Sequence, residues 1–273
     1  MKKILTAIMA LAGITACSDQ QKVLVLYYSQ YGATKTVAEE FAARMGADIA
    51  SFDVDQPYDG DFNATIQRCL AEQAEGTMPK CNPLSVDVSK YDVIFLGYPI
   101  WFGVAAPPVA AMLQDNDLNG KTIVPFCTFG SGGLESSVAE LKKALPDAQF
   151  CEGYGVRNAR VAKCPDEIAA FLVNAGFMEG IKDVLPEFSA QQPVGELEAA
   201  IFEEACGSYP MPLGTPVSVG SRVIPTGTEY IFTTESQSPA GDVSTAQIYV
   251  LAEDGAAPEF IKAVRCKHPT NHV

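Results

Sequence analysis

The chain has 273 residues, of which 48% are hydrophobic and 19% charged, a globular composition that excludes disorder over most of its length. Its formal net charge of −14 would repel a phosphate backbone, so we expect no nucleic-acid partner. Eight cysteines without a paired C-x-x-C motif give little support for a zinc site, and we expect no metal. The length suits one large domain or two ordinary ones.

The first residues indicate export. Lys2 and Lys3 precede an apolar stretch, residues 4–14, that is too short to span a bilayer, and a Thr-Ala-Cys series ending at Cys17 follows. Residues 1–16 resemble a bacterial lipoprotein signal peptide. The resemblance implies that Cys17 carries the lipid, that residues 17–21 form a short tether, and that the protein is anchored at a bacterial membrane, facing the periplasm or the cell surface. An ordinary secretory signal is the alternative. Loss of the two lysines changes the net charge from −14 to −16.

Strand-like and helical patterns alternate over residues 22–178. The predicted strands are residues 23–28, 49–52, 92–97, 122–127 and one within 149–156. The predicted helices are residues 36–45, 64–74, 107–113, 134–145 and 166–175, the second of which lies in an insertion over 55–90. This alternation predicts a doubly wound α/β domain with a five-stranded parallel sheet.

The pattern changes after residue 178. Residues 179–194 are rich in proline and glutamine and indicate a linker. A helix over 196–206 and strands over 215–224, 229–234, 246–252 and 260–265 follow. We therefore predict a small α+β domain with antiparallel strands over residues 195–273, to which the sequence assigns no role.

Three loops follow the first, third and fourth predicted strands, at the edge where open α/β sheets bind ligands. The first, residues 29–34, places hydroxyl groups and a glycine ahead of a helix and predicts a phosphate cradle. The second, residues 97–103, holds the chain's one Trp between glycines and suits a planar ring. The third, residues 128–133, has glycines that allow close backbone approach. Helix capping by Thr34 and core packing of Trp101 are the alternatives.

Together, these loops resemble those of the flavodoxin family, and the resemblance covers residues 22–178. It rests on Tyr28, Ser29, Gly32 and Thr34, on the run DVIFLGYPIW at 92–101 and on PFCT at 125–128. It implies a flavodoxin-like fold with FMN as cofactor. The residues that it assigns to FMN binding are Ser29, Gln30, Tyr31, Gly32, Ala33 and Thr34 for the phosphate, Pro99, Ile100, Trp101 and Phe102 for the ribityl chain and ring, and Thr128, Phe129, Gly130 and Ser131 for the ring edges.

The remaining cysteines suggest disulfides in an exported chain. Locality favours three pairs, and sequence alone does not fix the connectivity. The pairs are Cys69 with Cys81, Cys151 with Cys164, and Cys206 with Cys266. Cys127 stays single, as a small buried residue beside the flavin. No Ser-His-Asp set is present, so we assign no catalytic residue, and we expect His268 and His272 to be solvated.

We expect an FMN-binding lipoprotein that transfers electrons outside the cytoplasm to or from a redox partner protein with a basic docking face. One alternative is an FMN-dependent NAD(P)H:acceptor oxidoreductase that reduces quinones or nitro compounds, although pyridine nucleotides are expected inside the cell. A third hypothesis is a flavin-free binding or assembly module.

Overall fold

The computed structural model describes residues 21–238 and 241–266. The predicted signal peptide, the predicted lipid acceptor Cys17, and His268 and His272 lie outside these ranges. Within them, no helix is both long enough and apolar enough to cross a membrane.

An α/β domain comes first in the chain. Its strands are β1 (Val23–Tyr27), β2 (Asp48–Ser51), β3 (Val93–Trp101), β4 (Val104–Ala105), β5 (Thr122–Phe129), β6 (Gln149–Phe150) and β7 (Tyr154–Arg157). Its α-helices are α1 (Ala33–Met45), α2 (Phe62–Glu75), α3 (Pro107–Asp115), α4 (Leu134–Ala144) and α5 (Cys164–Ala175). Short 3-10 helices cover Val88–Lys90 and Asn158–Lys163. The predicted alternation of strands and helices is confirmed.

The main sheet is parallel, in the order β2-β1-β3-β5, and β6 and β7 share the last position because both pair with β5. The predicted fifth strand is thus two short strands. Strand β1 is apolar throughout because both of its faces are covered: Leu24 and Leu26 face one core, and Val25 faces the other. Helices α1 and α5 pack on one face, and α3 and α4 on the opposite face. Chain order reverses between β1 and β3, which creates a crevice at their carboxyl ends.

One predicted loop is largely a β-hairpin. Strand β3 continues past Gly97 to Trp101, and its last two residues pair antiparallel with β4. The connecting residues, Phe102 and Gly103, have φ angles of +52° and +83°. Two consecutive left-handed residues are typical of the tight turn that joins twisted strands. The prediction of an irregular loop over 97–103 was wrong because this pairing adds regular structure beyond the sheet.

The chain ends in a separate antiparallel sheet with one helix, as predicted. Its elements are β8 (Gln192–Pro193), α6 (Glu196–Cys206), β9 (Thr215–Ile224), β10 (Gly227–Gln237), β11 (Val243–Glu253) and β12 (Glu259–Arg265). The strand order is β12-β11-β10-β9-β8. Phe202 of α6 packs on Phe232 at the centre of this sheet. Part of the predicted linker therefore belongs to the sheet: β8 pairs with β9, and the Ser189 N–H donates to the Ser221 carbonyl at 2.8 Å.

The cysteines differ from their predicted pairing. Seven described cysteines are free thiols, so none of the three predicted disulfides is present. Their surroundings explain this: Cys206, the last residue of α6, is buried in the C-terminal core, whereas Cys266 is exposed after β12. The Cys81 thiol donates instead to the Asn82 carbonyl at 3.2 Å. Cys127 is fully buried, as predicted, and burial raises its pKa, which disfavours a role as nucleophile.

Candidate functional site

The first predicted loop is the turn between β1 and α1. The Ser29 hydroxyl oxygen accepts from the N–H groups of Gly32 at 3.2 Å and Lys35 at 3.1 Å, which folds the loop over the helix start. Gly32 has a φ angle of +92°, a conformation that favours glycine. Gly32, the N-cap residue of α1, has no side chain to cap the helix, and the Ser29 hydroxyl occupies the Lys35 N–H, which leaves the N–H groups of Ala33 and Thr34. The first turn, which begins at the half-buried Ala33, has no acidic residue. The helix therefore presents N–H groups and its positive end to an anion, and Ser29 keeps a hydroxyl hydrogen to donate.

Two predicted ligands meet inside the protein. Thr34 and Thr128 are each about 1% exposed, and their hydroxyl oxygens lie 2.9 Å apart in a hydrogen bond. This bond joins the first loop to the third. The Thr34 side chain therefore contacts the neighbouring loop, and the phosphate cradle is left to backbone groups and Ser29.

The first loop also contacts the insertion between β2 and β3. The Gln30 side-chain amide donates to the Tyr58 carbonyl at 2.7 Å and to the Thr65 hydroxyl at 2.8 Å. The Tyr31 hydroxyl donates to the Gly60 carbonyl at 2.9 Å, while 65% of the Tyr31 residue stays exposed. Gln30 and Tyr31 thus use their side chains to fix the loop to the insertion, whereas the backbone remains free to bind a ligand.

Trp101 lies half-buried at the end of β3, against two tyrosines. Its ring centroid is 5.0 Å from that of Tyr58 and 6.1 Å from that of Tyr28, both in edge-to-face arrangements. The Arg68 guanidinium lies 3.8 Å from the Tyr58 ring centroid, and the Tyr58 hydroxyl donates to Glu72 at 2.5 Å. Burial and this bond to Glu72 raise the pKa of Tyr58, which keeps the phenol neutral. The indole is therefore held in place while part of it remains open.

Tyr58 is the residue that sequence reasoning missed. It is only 4% exposed, supports Trp101 with its ring and orients Gln30 with its carbonyl. The available signal was a single aromatic side chain within the otherwise polar series Gln56-Pro57-Tyr58-Asp59-Gly60.

The remaining residues of the second loop line the same hairpin. Pro99 and Ile100 are half-buried, and Phe102 is 64% exposed at the turn. A Cβ added to Gly133 would lie 2.6 Å from the Ile100 side chain, so glycine allows the second and third loops to approach. The Ser136 hydroxyl donates to the Gly103 carbonyl and reinforces this approach.

The predicted third loop, residues 128–133, is shorter than expected: Thr128 and Phe129 are the last residues of β5, and residues 130–133 join β5 to α4. Phe129 is buried, Gly130 is exposed and Ser131 is half-buried. Gly133, with a φ angle of +117°, begins α4 without a side-chain cap. The third loop therefore adds a glycine backbone next to the hairpin, whereas the start of α4 carries Glu135 in its first turn.

The crevice contains the groups that a phosphorylated planar cofactor needs. The Ala33 and Thr34 N–H groups at the start of α1 can bind the anion, a supported Trp can border the ring, and glycine-rich backbone can approach its edges. In residues 21–238 and 241–266, no group of three or more His, Cys, Asp or Glu is placed to hold a metal ion. Fold and site together define a doubly wound nucleotide-cofactor protein, and the fit is to FMN.

The family follows from a comparison with known proteins. The family model described as Flavodoxin matches residues 22–174. The chain therefore belongs to the flavodoxin family, as its loops predicted, and FMN is the cofactor of that family.

Individual relatives are more distant. A protein from Cupriavidus metallidurans named NAD(P)H dehydrogenase (quinone) is 31% identical over 128 residues, which cover 43% of this chain and 62% of that protein. The chain thus spans less than two thirds of this curated relative. A flavoprotein crystal structure from Bacteroides eggerthii is 32% identical and covers 55% of this chain and 98% of its own, with a TM-score of 0.46. A flavoprotein in complex with FMN from Lactobacillus acidophilus is 24% identical and covers 52% and 97%, with a TM-score of 0.45.

Proposed function

We propose that this protein binds FMN and transfers electrons outside the cytoplasm, held at a bacterial membrane by a lipid on Cys17. The observation that carries the proposal is the convergence of three loops on the β1/β3 crevice, with the α1 N-terminus in one loop and the supported Trp101 in another. When bound, FMN supplies the redox chemistry, and the protein positions and tunes it.

The chain's own residues bind and shield the cofactor in this proposal. The N–H groups of Ala33 and Thr34 and the Ser29 hydroxyl hold the phosphate. Trp101 borders the ring, and the backbone of Gly130 and Ser131 approaches its polar edge. The buried hydroxyl pair of the first and third loops keeps these binding groups at a fixed spacing.

A second candidate is an FMN-dependent NAD(P)H:acceptor oxidoreductase, because curated relatives carry the name NAD(P)H dehydrogenase (quinone). Sustained oxidation of NADH or NADPH with a quinone acceptor would support this enzyme. Electron exchange with a protein partner in the absence of that turnover would support the carrier. We favour the carrier because an exported site is remote from the cellular pool of pyridine nucleotides.

The test is FMN titration of the apoprotein that begins after Cys17, followed by its visible spectrum and the quenching of flavin fluorescence. Trp101→Ala should weaken FMN binding about tenfold, the equivalent of about 1.4 kcal/mol of lost ring contact. Phe150→Ala is the matched control: Phe150 is also half-buried, but it pairs with Ile123 near the opposite end of β5. A protein that binds no FMN would refute the proposal and favour a flavin-free module; equal affinity in both variants would refute the role of Trp101.

The location and the partner have separate tests. Metabolic labelling with a fatty acid should mark the wild-type protein in a bacterial host, and Cys17→Ser should abolish the label. The acidic chain favours a basic docking face on the partner, so electron transfer to a cationic acceptor protein should slow with added salt. Unchanged rates between low and high salt would contradict this electrostatic docking.

A further inference from the structure

The C-terminal sheet is in direct contact with the third loop. The Ala263 N–H on β12 donates to the Ser131 carbonyl at 2.6 Å. A Cβ added to the next residue, Gly132, would lie 2.1 Å from the Ala263 carbonyl oxygen. This distance is far below van der Waals contact, and the obstacle is backbone that cannot rotate away. The two segments therefore approach as closely as they do only because residue 132 is glycine.

Arg157, at the end of β7, connects the same two partners. Its Nε donates to the Gly130 carbonyl at 2.9 Å, and its Nη1 donates to the Phe260 carbonyl on β12 at 2.7 Å. The guanidinium also lies 4.3 Å from the Phe260 ring centroid and 5.2 Å from that of Tyr209, within cation–π range. One side chain thus holds the third loop and the C-terminal sheet at once.

Ion pairs surround this contact and set its geometry. The interdomain pairs are Arg160 with Glu259 at 2.9 Å, Lys163 with Glu253 at 2.9 Å and with Glu259 at 2.9 Å, and Lys262 with Glu135 at 2.9 Å. Arg160 is only 8% exposed. A buried cation with carboxylate partners from both domains disfavours other orientations of the C-terminal sheet, because in them the cation would lose one of its carboxylate partners.

We propose that the C-terminal sheet clamps the third flavin loop, so that FMN binding and docking of the sheet strengthen each other, with Arg157 as positioning residue. The proposal rests on FMN binding at the β1/β3 crevice. The loop's carbonyls at Gly130 and Ser131 are both fixed by the clamp, and these residues belong to the set assigned to the ring edges. A docked sheet therefore orders the loop before FMN arrives and lowers the entropy lost on binding.

Coupling between two equilibria is reciprocal. If docking of the sheet raises FMN affinity by a given factor, bound FMN must favour docking by the same factor. Couplings of this kind typically amount to about 5–150-fold. We expect about tenfold here, because one glycine-rich loop of the three is affected.

The experiment uses the chain from Ser18 with two interface variants and one control. Gly132→Ala forces the sheet away from the loop, and Arg157→Gln removes the bridging guanidinium without touching the ion pairs. Arg44→Gln is the matched control, since Arg44 pairs with Glu40 on the surface of α1. FMN affinity is measured by fluorescence quenching, and hydrogen exchange is followed at the Ala263 amide, whose donor bond to Ser131 reports docking.

The clamp predicts that both interface variants bind FMN about tenfold more weakly than wild type and Arg44→Gln. It also predicts that FMN slows exchange at Ala263 in wild type and has a smaller effect in the variants. Circular dichroism verifies folding, and if Gly132→Ala fails to fold, Arg157→Gln and the wild-type exchange experiment still decide the question. Unchanged affinity in folded variants, or exchange at Ala263 that FMN does not alter, would overturn the clamp. Absence of FMN binding in wild type would instead overturn the proposed function.

Discussion

The hydroxyl pair between Thr34 and Thr128 gives a quantitative test of how the first and third loops are held. Both residues are about 1% exposed, and their hydroxyls are hydrogen-bonded to each other. Replacing one threonine by valine preserves shape but leaves the opposite hydroxyl buried and unpaired, which costs about 1–3 kcal/mol of unfolding free energy. Replacing both removes two polar groups together, and the double variant should be more stable than either single variant.

Urea unfolding of the apoproteins measures this cycle, and FMN titration of the same variants separates positioning from direct contact. If Thr34 positions the loop through Thr128, the two single variants should lose similar affinity for FMN, and the double variant should recover part of it. If the Thr34 hydroxyl binds the phosphate itself, Thr34→Val should lose far more affinity than Thr128→Val, without recovery in the double variant. A much larger loss of affinity in Thr34→Val than in Thr128→Val, without recovery in the double variant, would refute the positioning role. If the changes in unfolding free energy of the two single variants add up to that of the double variant, the buried hydrogen bond is refuted.

Two further predictions concern charge. Burial raises the pKa of Glu259, but hydrogen bonds from Arg160 and Lys163 outweigh it and hold the pKa below the ordinary value of 4.5. The stability that this carboxylate contributes is therefore present above pH 4.5 and lost as the pH falls through the depressed pKa. In urea unfolding from pH 7 to 3.5, the free energy of unfolding should depend less on pH in Glu259→Gln than in wild type. The same pH dependence in both proteins would contradict this role of Glu259. The negative net charge, −14 for the full chain, should lower the reduction potential of bound FMN below that of free FMN, and added salt should raise it again. A potential at or above that of free FMN would contradict this effect.

The sequence predicted the elements whose signal is local. A continuous apolar run identified β1, and helical spacing identified α6 with the bounds that the structure has. Helical spacing also indicates that Thr34 is buried, because Thr34 lies on the same face of α1 as the buried Val37, Ala38 and Phe41. Its burial against the third loop was therefore predictable, although its partner was not, because Thr128 is 94 residues away in the chain.

Features that depend on long-range contact were missed for a common reason. The pairing of β3 with β4 continues a strand past Gly97 to Trp101, and β8 pairs with β9. The support of Trp101 by Tyr58 joins an insertion to a strand end. The β8 pairing and the support of Trp101 have no period or turn signal in the segment concerned, so local patterns do not indicate them, whereas Gly103 was an unused turn signal for the β3–β4 hairpin.

The family match ends at residue 174, yet Ala263 donates to the third loop, and Phe260 accepts from Arg157, which donates to the same loop. The C-terminal sheet contacts the third loop, whereas Tyr31 and Phe102, in the first and second loops, are 65% and 64% exposed. Under the proposed function, a redox partner would exchange electrons on the side of the first two loops, and the clamp would tune the cofactor from the side that the partner does not reach.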